Sequence, residues 1–232
     1  MSNLAPENLV LFDLDGTLLD TQDAGVRGYE AAGKETLGVE FSFSGVPLHG
    51  KLDSENYREA MQRHAPDVDP DQHLPQFKAS YERHIARIGA ESGGFNTPPG
   101  VRKAIEELSQ RKDVEVGILT GNWEKPGRLK LVLAGIDNHH FVVCAWAEDG
   151  TTRNDLVPVA QRRFHAQYGR DPARIIVIGD TPRDIECAHA HGAIAVGVAT
   201  GIHDVEALAA SGADLAINDL TNMEPIRELL DR

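Results

Sequence analysis

Short, unbroken apolar runs recur along the chain: LVLFDLD at 9–15, VEVGILT at 114–120, FVVCAWA at 141–147, RIIVIGD at 174–180 and AIAVGVAT at 193–200. A weaker sixth, LAIND, follows at 215–219. Runs of this length without polar alternation suit strands buried on both faces, as in a parallel sheet. The stretches between them carry helical signals. PPGVRKAIEELSQR has Pro at its start and Val101, Ile105 and Leu108 at helical spacing. DLVPVAQRRFHAQYG ends in Gly169 and DIECAHAHG in Gly192, both helix-terminating positions. Strand alternating with helix predicts an α/β fold with a doubly wound parallel sheet.

One segment breaks the alternation. Residues 21–96 carry no strand pattern but three helical ones: DAGVRGYEAAGKETLG, DSENYREAMQRHA and LPQFKASYERHIARIG. ESGGFNTPPG at 91–100 reads as the return linker. The expected organisation is a core of residues 1–20 and 97–232, with an all-helical domain inserted at 21–96. A chain of 232 residues is long enough for either part to bury its own core.

Composition narrows the partners. The net charge of -13 argues against nucleic acid and anionic membranes, which select basic surfaces. No apolar run approaches a membrane span of roughly 18 residues, and Met1–Asn8 does not read as a secretory signal. Cys144 and Cys187 are too few for a disulfide framework and are expected to be reduced, packed thiols of a cytoplasmic protein. The ten histidines form no metal-binding pattern and are expected to be structural.

In open α/β sheets, ligands bind outside the carboxyl ends of the strands. Three apolar runs end there in polar groups: Asp13, Asp15, Gly16 and Thr17; Thr120, Gly121 and Asn122; Gly179, Asp180, Thr181 and Asp184. Taken singly, each reads equally as a turn or a helix cap. The DLDGT sequence is different. Two acids one residue apart at the end of an apolar strand crowd like charges, which calls for a cation or a phosphoryl group.

FDLDGTLLDT resembles the first motif of the haloacid dehalogenase superfamily, DxDGT. ILTGN is similar to the second motif and GDTPRDIECA to the fourth, in the family's order, and the helical insert falls where that family carries a helical cap. The resemblance implies a magnesium-dependent phosphatase acting on a small phosphorylated metabolite, phosphoglycolate-like or sugar-phosphate-like. Asp13 would be the nucleophile, forming an aspartyl-phosphate, and Asp15 the acid and base. Mg2+ would be held by Asp13, the backbone carbonyl of Asp15 and Asp180, with Asp184 orienting neighbouring groups. Thr120, Gly121 and Asn122 would hold the phosphoryl oxygens. The family's third motif usually carries a Lys. Here AEDGTTRNDLVPVA has none, so Arg153 is the expected cation, with Lys125 and Lys130 as alternatives.

The insert is expected to set substrate choice. His49, Gly50 and Lys51 precede a helix whose N-cap is expected at Asp53 or Ser54. Lys51 is a candidate contact to an anionic substrate group. A phosphosugar mutase of the same superfamily remains an alternative. A dehalogenase is disfavoured by Asp15 and the DGT context, and an inactive binding module by the presence of all the acids.

Overall fold

The computed structural model describes residues 5–44 and 48–231. Six strands form one parallel sheet: β1 (Asn8–Phe12), β2 (Val114–Leu119), β3 (Val143–Ala145), β4 (Arg174–Gly179), β5 (Ile194–Val198) and β6 (Leu215–Ile217). Their spatial order is β3-β2-β1-β4-β5-β6. Every apolar run of the sequence becomes a strand, and each strand stops short of its run. The residues that follow β1, β2 and β4 are Asp13, Thr120 and Asp180, which therefore stand at the carboxyl edge. The strand order reverses at β1: the chain moves outward through β2 and β3, then returns to pair β4 on the other side of β1. That reversal opens a crevice between the ends of β1 and β4, where ligands of such sheets bind.

Between β1 and β2 lie three helices of the inserted segment, α1 (Ala24–Leu37), α2 (Asp53–His64) and α3 (Pro70–Glu91), followed by α4 (Val101–Gln110). The chain leaves and re-enters the sheet side by side. Asp20 and Asn96 exchange backbone hydrogen bonds of 2.9 and 3.3 Å in an isolated antiparallel bridge. The remaining helices are α5 (Glu124–Leu133), α6 (Leu156–Tyr168), α7 (Pro182–His189), α8 (Val205–Ala210) and α9 (Glu224–Leu230). No helix of the described residues is long and apolar enough to cross a membrane.

One local expectation changes. The N-cap position of α2 is Leu52, and Asp53 is the first helical residue. Glu55 caps the helix in the reverse direction, its carboxylate accepting from the Leu52 N–H at 2.8 Å, which frees Asp53 to reach out of the helix. Helix α5 carries no sequence signal because Pro126 and Gly127 sit near its start. First-turn N–H groups lack helical partners anyway, so Pro costs nothing there. Gly127 is needed because a Cβ would lie 2.6 Å from Trp146.

Close approach of β2 and β3 fixes another glycine. A Cβ on Gly117 would lie 1.9 Å from the Val143 carbonyl oxygen. Gly117→Ala is expected to destabilise the fold by at least about 2 kcal/mol in urea denaturation, as overpacking of a rigid sheet does. Unchanged stability would contradict the β2–β3 pairing.

Candidate active site

Asp13 is the first residue past β1, and its N–H donates to the Ile178 carbonyl of β4 at 2.9 Å. Asp180 is the first residue past β4. Asp184 lies in the first turn of α7, with Oδ2 accepting from the Thr181 N–H at 3.1 Å and the Thr181 hydroxyl at 2.7 Å. The carboxylate oxygens of Asp13, Asp180 and Asp184 come within 4.8 Å of one another, and all three residues are buried. Two glycines make this convergence possible: a Cβ on Gly16 or Gly201 would lie 2.4 or 1.7 Å from Asp180 Oδ2.

Arg153 enters this cluster from a 3₁₀ turn before α6, Arg153–Asp155. Its Nη2 is 3.1 Å from Asp13 Oδ1 and also bonds Asp184 Oδ1. The side chain is 5% exposed, so the charge sits among the acids rather than in solvent. Burial pushes Asp13 up to about 6, opposed by Arg153 and the Thr120 hydroxyl and reinforced by Asp184. Burial also raises Asp180 well above the usual carboxylate range, helped by repulsion from Asp184 and Asp13. Three buried carboxylates against one guanidinium are short of positive charge. The all-oxygen donor set fits a hard divalent cation.

Asp15 points to the opposite wall. Its Oδ2 accepts from Lys130 Nζ and Asn122 Nδ2, both at 2.7 Å, and Lys130 also donates to Asn122 Oδ1 at 2.5 Å. The other Asp15 oxygen, Oδ1, is buried without a partner. Asn122 reaches back to Thr120, whose hydroxyl oxygen accepts from the Asn122 N–H at 3.3 Å and Nδ2 at 3.0 Å. Two buried cations therefore stand among the acids: Arg153 pairs with Asp13 and Asp184, and Lys130, at 3% exposure, with Asp15. Lys125 is exposed. Lys51 borders the site, but its ammonium pairs with Glu59 at 2.6 Å. Its backbone carbonyl packs on Gly121, where a Cβ would lie 2.0 Å away.

Above these groups opens a cavity of about 380 Å³ that Asp13, Asp15, Thr120, Lys130, Arg153 and Asp180 share with residues of the inserted helices. The insert is fastened to the loop after β2. The Asp53 N–H donates to the Gly121 carbonyl at 2.6 Å, and Asp53 Oδ2 accepts from the Trp123 N–H at 2.8 Å. Trp123 is 1% exposed and stacks on Tyr29, with ring centroids 5.9 Å apart, while Tyr81 and Phe77 meet it edge-on. Asp53, Asn56, Tyr29 and Tyr81 line the cavity, and the sequence offered no signal for them beyond an apparent helix cap. Both cysteines are buried and free. His49 is an exposed residue on the cavity's rim.

Fold and site together define an α/β enzyme with a carboxylate cluster at the switch point of its sheet. Sequence comparison gives the family. The haloacid dehalogenase-like hydrolase family matches residues 10–198, and the chain belongs to it. A phosphoglycolate phosphatase of Chromobacterium violaceum is 26% identical, over 95% of this chain and 96% of its own. An N-acetylmuramic acid 6-phosphate phosphatase of Pseudomonas aeruginosa is 29% identical, over 96% and 92%. The crystal structure of a β-phosphoglucomutase from Clostridium difficile superposes with a TM-score of 0.72 at 15% identity, covering 97% of each chain. This last likeness establishes the fold.

The Asp53 carboxyl supplies a test of the docking between insert and sheet. Burial pushes it from 3.8 up to about 6, opposed by Lys130 and the Trp123 N–H. The folded chain thus favours the protonated form. That contribution to stability is complete below pH 3.8 and is lost as pH rises through about 6. Asp53→Asn keeps an acceptor for Trp123 and never ionises. Its stability relative to wild type is expected to rise between pH about 4 and about 7, by up to roughly 3 kcal/mol, in denaturant titrations. A difference independent of pH would show that Asp53 is not buried against the loop.

Proposed function

We propose that this chain is a magnesium-dependent phosphatase that hydrolyses a small phosphorylated metabolite through a phosphoryl group carried on Asp13. The observation that carries this reading is the placement of Asp13: buried at the switch point, flanked by Asp180 and Asp184, with one oxygen held by Arg153. The near-full-length phosphatase relatives support it.

In the first step Asp13 Oδ2 attacks phosphorus, forming one P–O bond as the ester P–O bond breaks. Asp15 protonates the departing ester oxygen. In the second step Asp15 takes a proton from water, whose oxygen attacks phosphorus and releases the Asp13 carboxylate with inorganic phosphate. Arg153 keeps Asp13 charged and aimed, and offsets the incoming phosphoryl charge. The Thr120 and Asn122 side chains and the Gly121 backbone N–H would hold the phosphoryl oxygens. Asp13, Asp180 and the Asp15 carbonyl would hold Mg2+, which supplies charge stabilisation to the phosphoryl oxygens. Residues 21–96 act as a cap on a core of residues 1–20 and 97–232, and the Asp20–Asn96 bridge supports a hinge at that boundary.

Hydrolysis of para-nitrophenyl phosphate is expected to require magnesium and to vanish with excess chelator. Unchanged turnover under chelator would overturn the reading. Arg153→Ala is expected to lower kcat/KM at least tenfold, about 1.4 kcal/mol of transition-state stabilisation, with much of it regained by Arg153→Lys. Wild-type kinetics in the alanine variant would remove Arg153 from the mechanism.

A further inference from the structure

Arg153 is the buried cation of the carboxylate cluster, and its side chain is held only at the tips of its fork. Nη2 is 3.1 Å from Asp13 Oδ1 and also bonds Asp184 Oδ1, while Nη1 donates to the Gly50 carbonyl at 3.3 Å. Nε is buried and has no partner among the described residues. An arginine side chain brings about 2 kcal/mol of rotamer entropy to such a site. A misplacement of about 1 Å in a reacting group can cost on the order of 100-fold in rate. The position of the Arg153 backbone therefore matters to where its charge arrives.

The turn that carries Arg153 takes its shape from within and its place from α7. Within it, Asp155 Oδ2 accepts from the Thr151 N–H at 2.8 Å and the Thr152 N–H at 2.9 Å. Outward, the Arg153 carbonyl accepts from the Cys187 thiol at 3.1 Å, and the Asn154 carbonyl from His191 Nε2 at 2.7 Å. A carbonyl can only accept, so His191 carries a proton on Nε2. Asp184, Cys187 and His191 follow one another at intervals of three and four residues, the spacing of one helix face. His191 prolongs that face past the last residue of α7, because its N–H still donates to the Ala188 carbonyl at 3.2 Å. A single face of α7 thus grips Arg153 by its guanidinium and its carbonyl, and Asn154 by its carbonyl. The helix is itself pressed against the end of β4, where a Cβ on Gly179 would lie 2.1 Å from Asp184 Cγ.

Cys187 does more here than fill space. It is fully buried, and burial pushes its thiol up to about 12, so the sulfur keeps its proton and remains a donor. Neither Cys187 nor His191 lines the cavity, so neither meets a substrate. We propose that Cys187 and His191 are positioning residues for Arg153, fixing the turn that delivers its guanidinium to Asp13. The proposal rests on the phosphatase reading above and goes further by naming what aims the cation.

The test is a set of double-mutant cycles on the full chain, with magnesium and para-nitrophenyl phosphate. Cys187→Ala is expected to lower kcat/KM at least about fourfold, and Cys187→Ser to stay within about twofold of wild type, because its hydroxyl still donates. His191→Phe, at an exposed position, is expected to cost at least about threefold, with much of the loss regained in His191→Gln, whose amide donates. In the Arg153→Ala background, Cys187→Ala and His191→Phe are each expected to change kcat/KM by less than about 1.5-fold, since no guanidinium is left to aim. Losses of equal size in both backgrounds would show roles in the fold alone and overturn the proposal. Wild-type kinetics in both Cys187→Ala and His191→Phe would overturn it as well. Should the Cys187 variants fail to fold, the His191 cycle decides by the same criteria. Absence of hydrolysis by the wild-type chain would overturn the proposal together with the phosphatase reading.

Discussion

Repulsion among Asp13, Asp180 and Asp184 is the constraint around which the sheet edge is organised. Carboxylate oxygens within 4.8 Å of one another, away from solvent, are costly unless positive charge is placed among them. Parallel pairing of β1 and β4 sets the spacing, because the residue that follows each strand, Asp13 or Asp180, enters the same crevice. Glycine at 16 and 201 leaves room for Asp180. Arg153 supplies one positive charge from a turn that precedes α6, and the Arg153 carbonyl is itself held by the Cys187 thiol at 3.1 Å. The cluster is a partly neutralised set of acids whose remaining negative charge a divalent cation would offset.

The inserted helices are coupled to this edge through the loop after β2. That loop presents Thr120 and Asn122 toward the acids, and Gly121 and Trp123 toward α2, so one short segment serves both sides. The bonds between Asp53 and the loop tie the first turn of α2 to the residues beside the phosphoryl site. Lys130 stands where the two regions meet. Its ammonium bonds Asp15 and Asn122, and its charge also acts on Asp53. Direct contacts thus run from Asp53 through the loop to Asn122 and Asp15, and Tyr29, Tyr81 and Phe77 pack on Trp123 beside them.

Much of this was readable in the sequence, because a parallel sheet imposes unbroken apolar runs and places the following residues at one edge. The six strands and the groups at Asp13, Thr120 and Asp180 follow from that rule. Arg153 was reachable by charge balance, since its segment contains no Lys. What stayed hidden depends on contacts between segments far apart in the chain. Asp53 looks like a helix cap, and only the approach of α2 to Trp123 makes it part of the cavity. Lys51 precedes a helix near the site, but Glu59, two turns along α2, takes its charge. Lys130 lies in a helix masked by Pro126 and Gly127, so its inward face could not be assigned from periodicity.

The central claim is that Asp13 carries the phosphoryl group between two displacements. The most direct measurement is rapid acid quench during turnover of a phosphate monoester with magnesium, followed by mass spectrometry of the peptide containing Asp13. The account predicts one phosphoryl group on Asp13 at early times, lost as turnover ends and absent in Asp13→Asn. Continued turnover with no modification of Asp13, or with the phosphoryl group on another side chain, would contradict it.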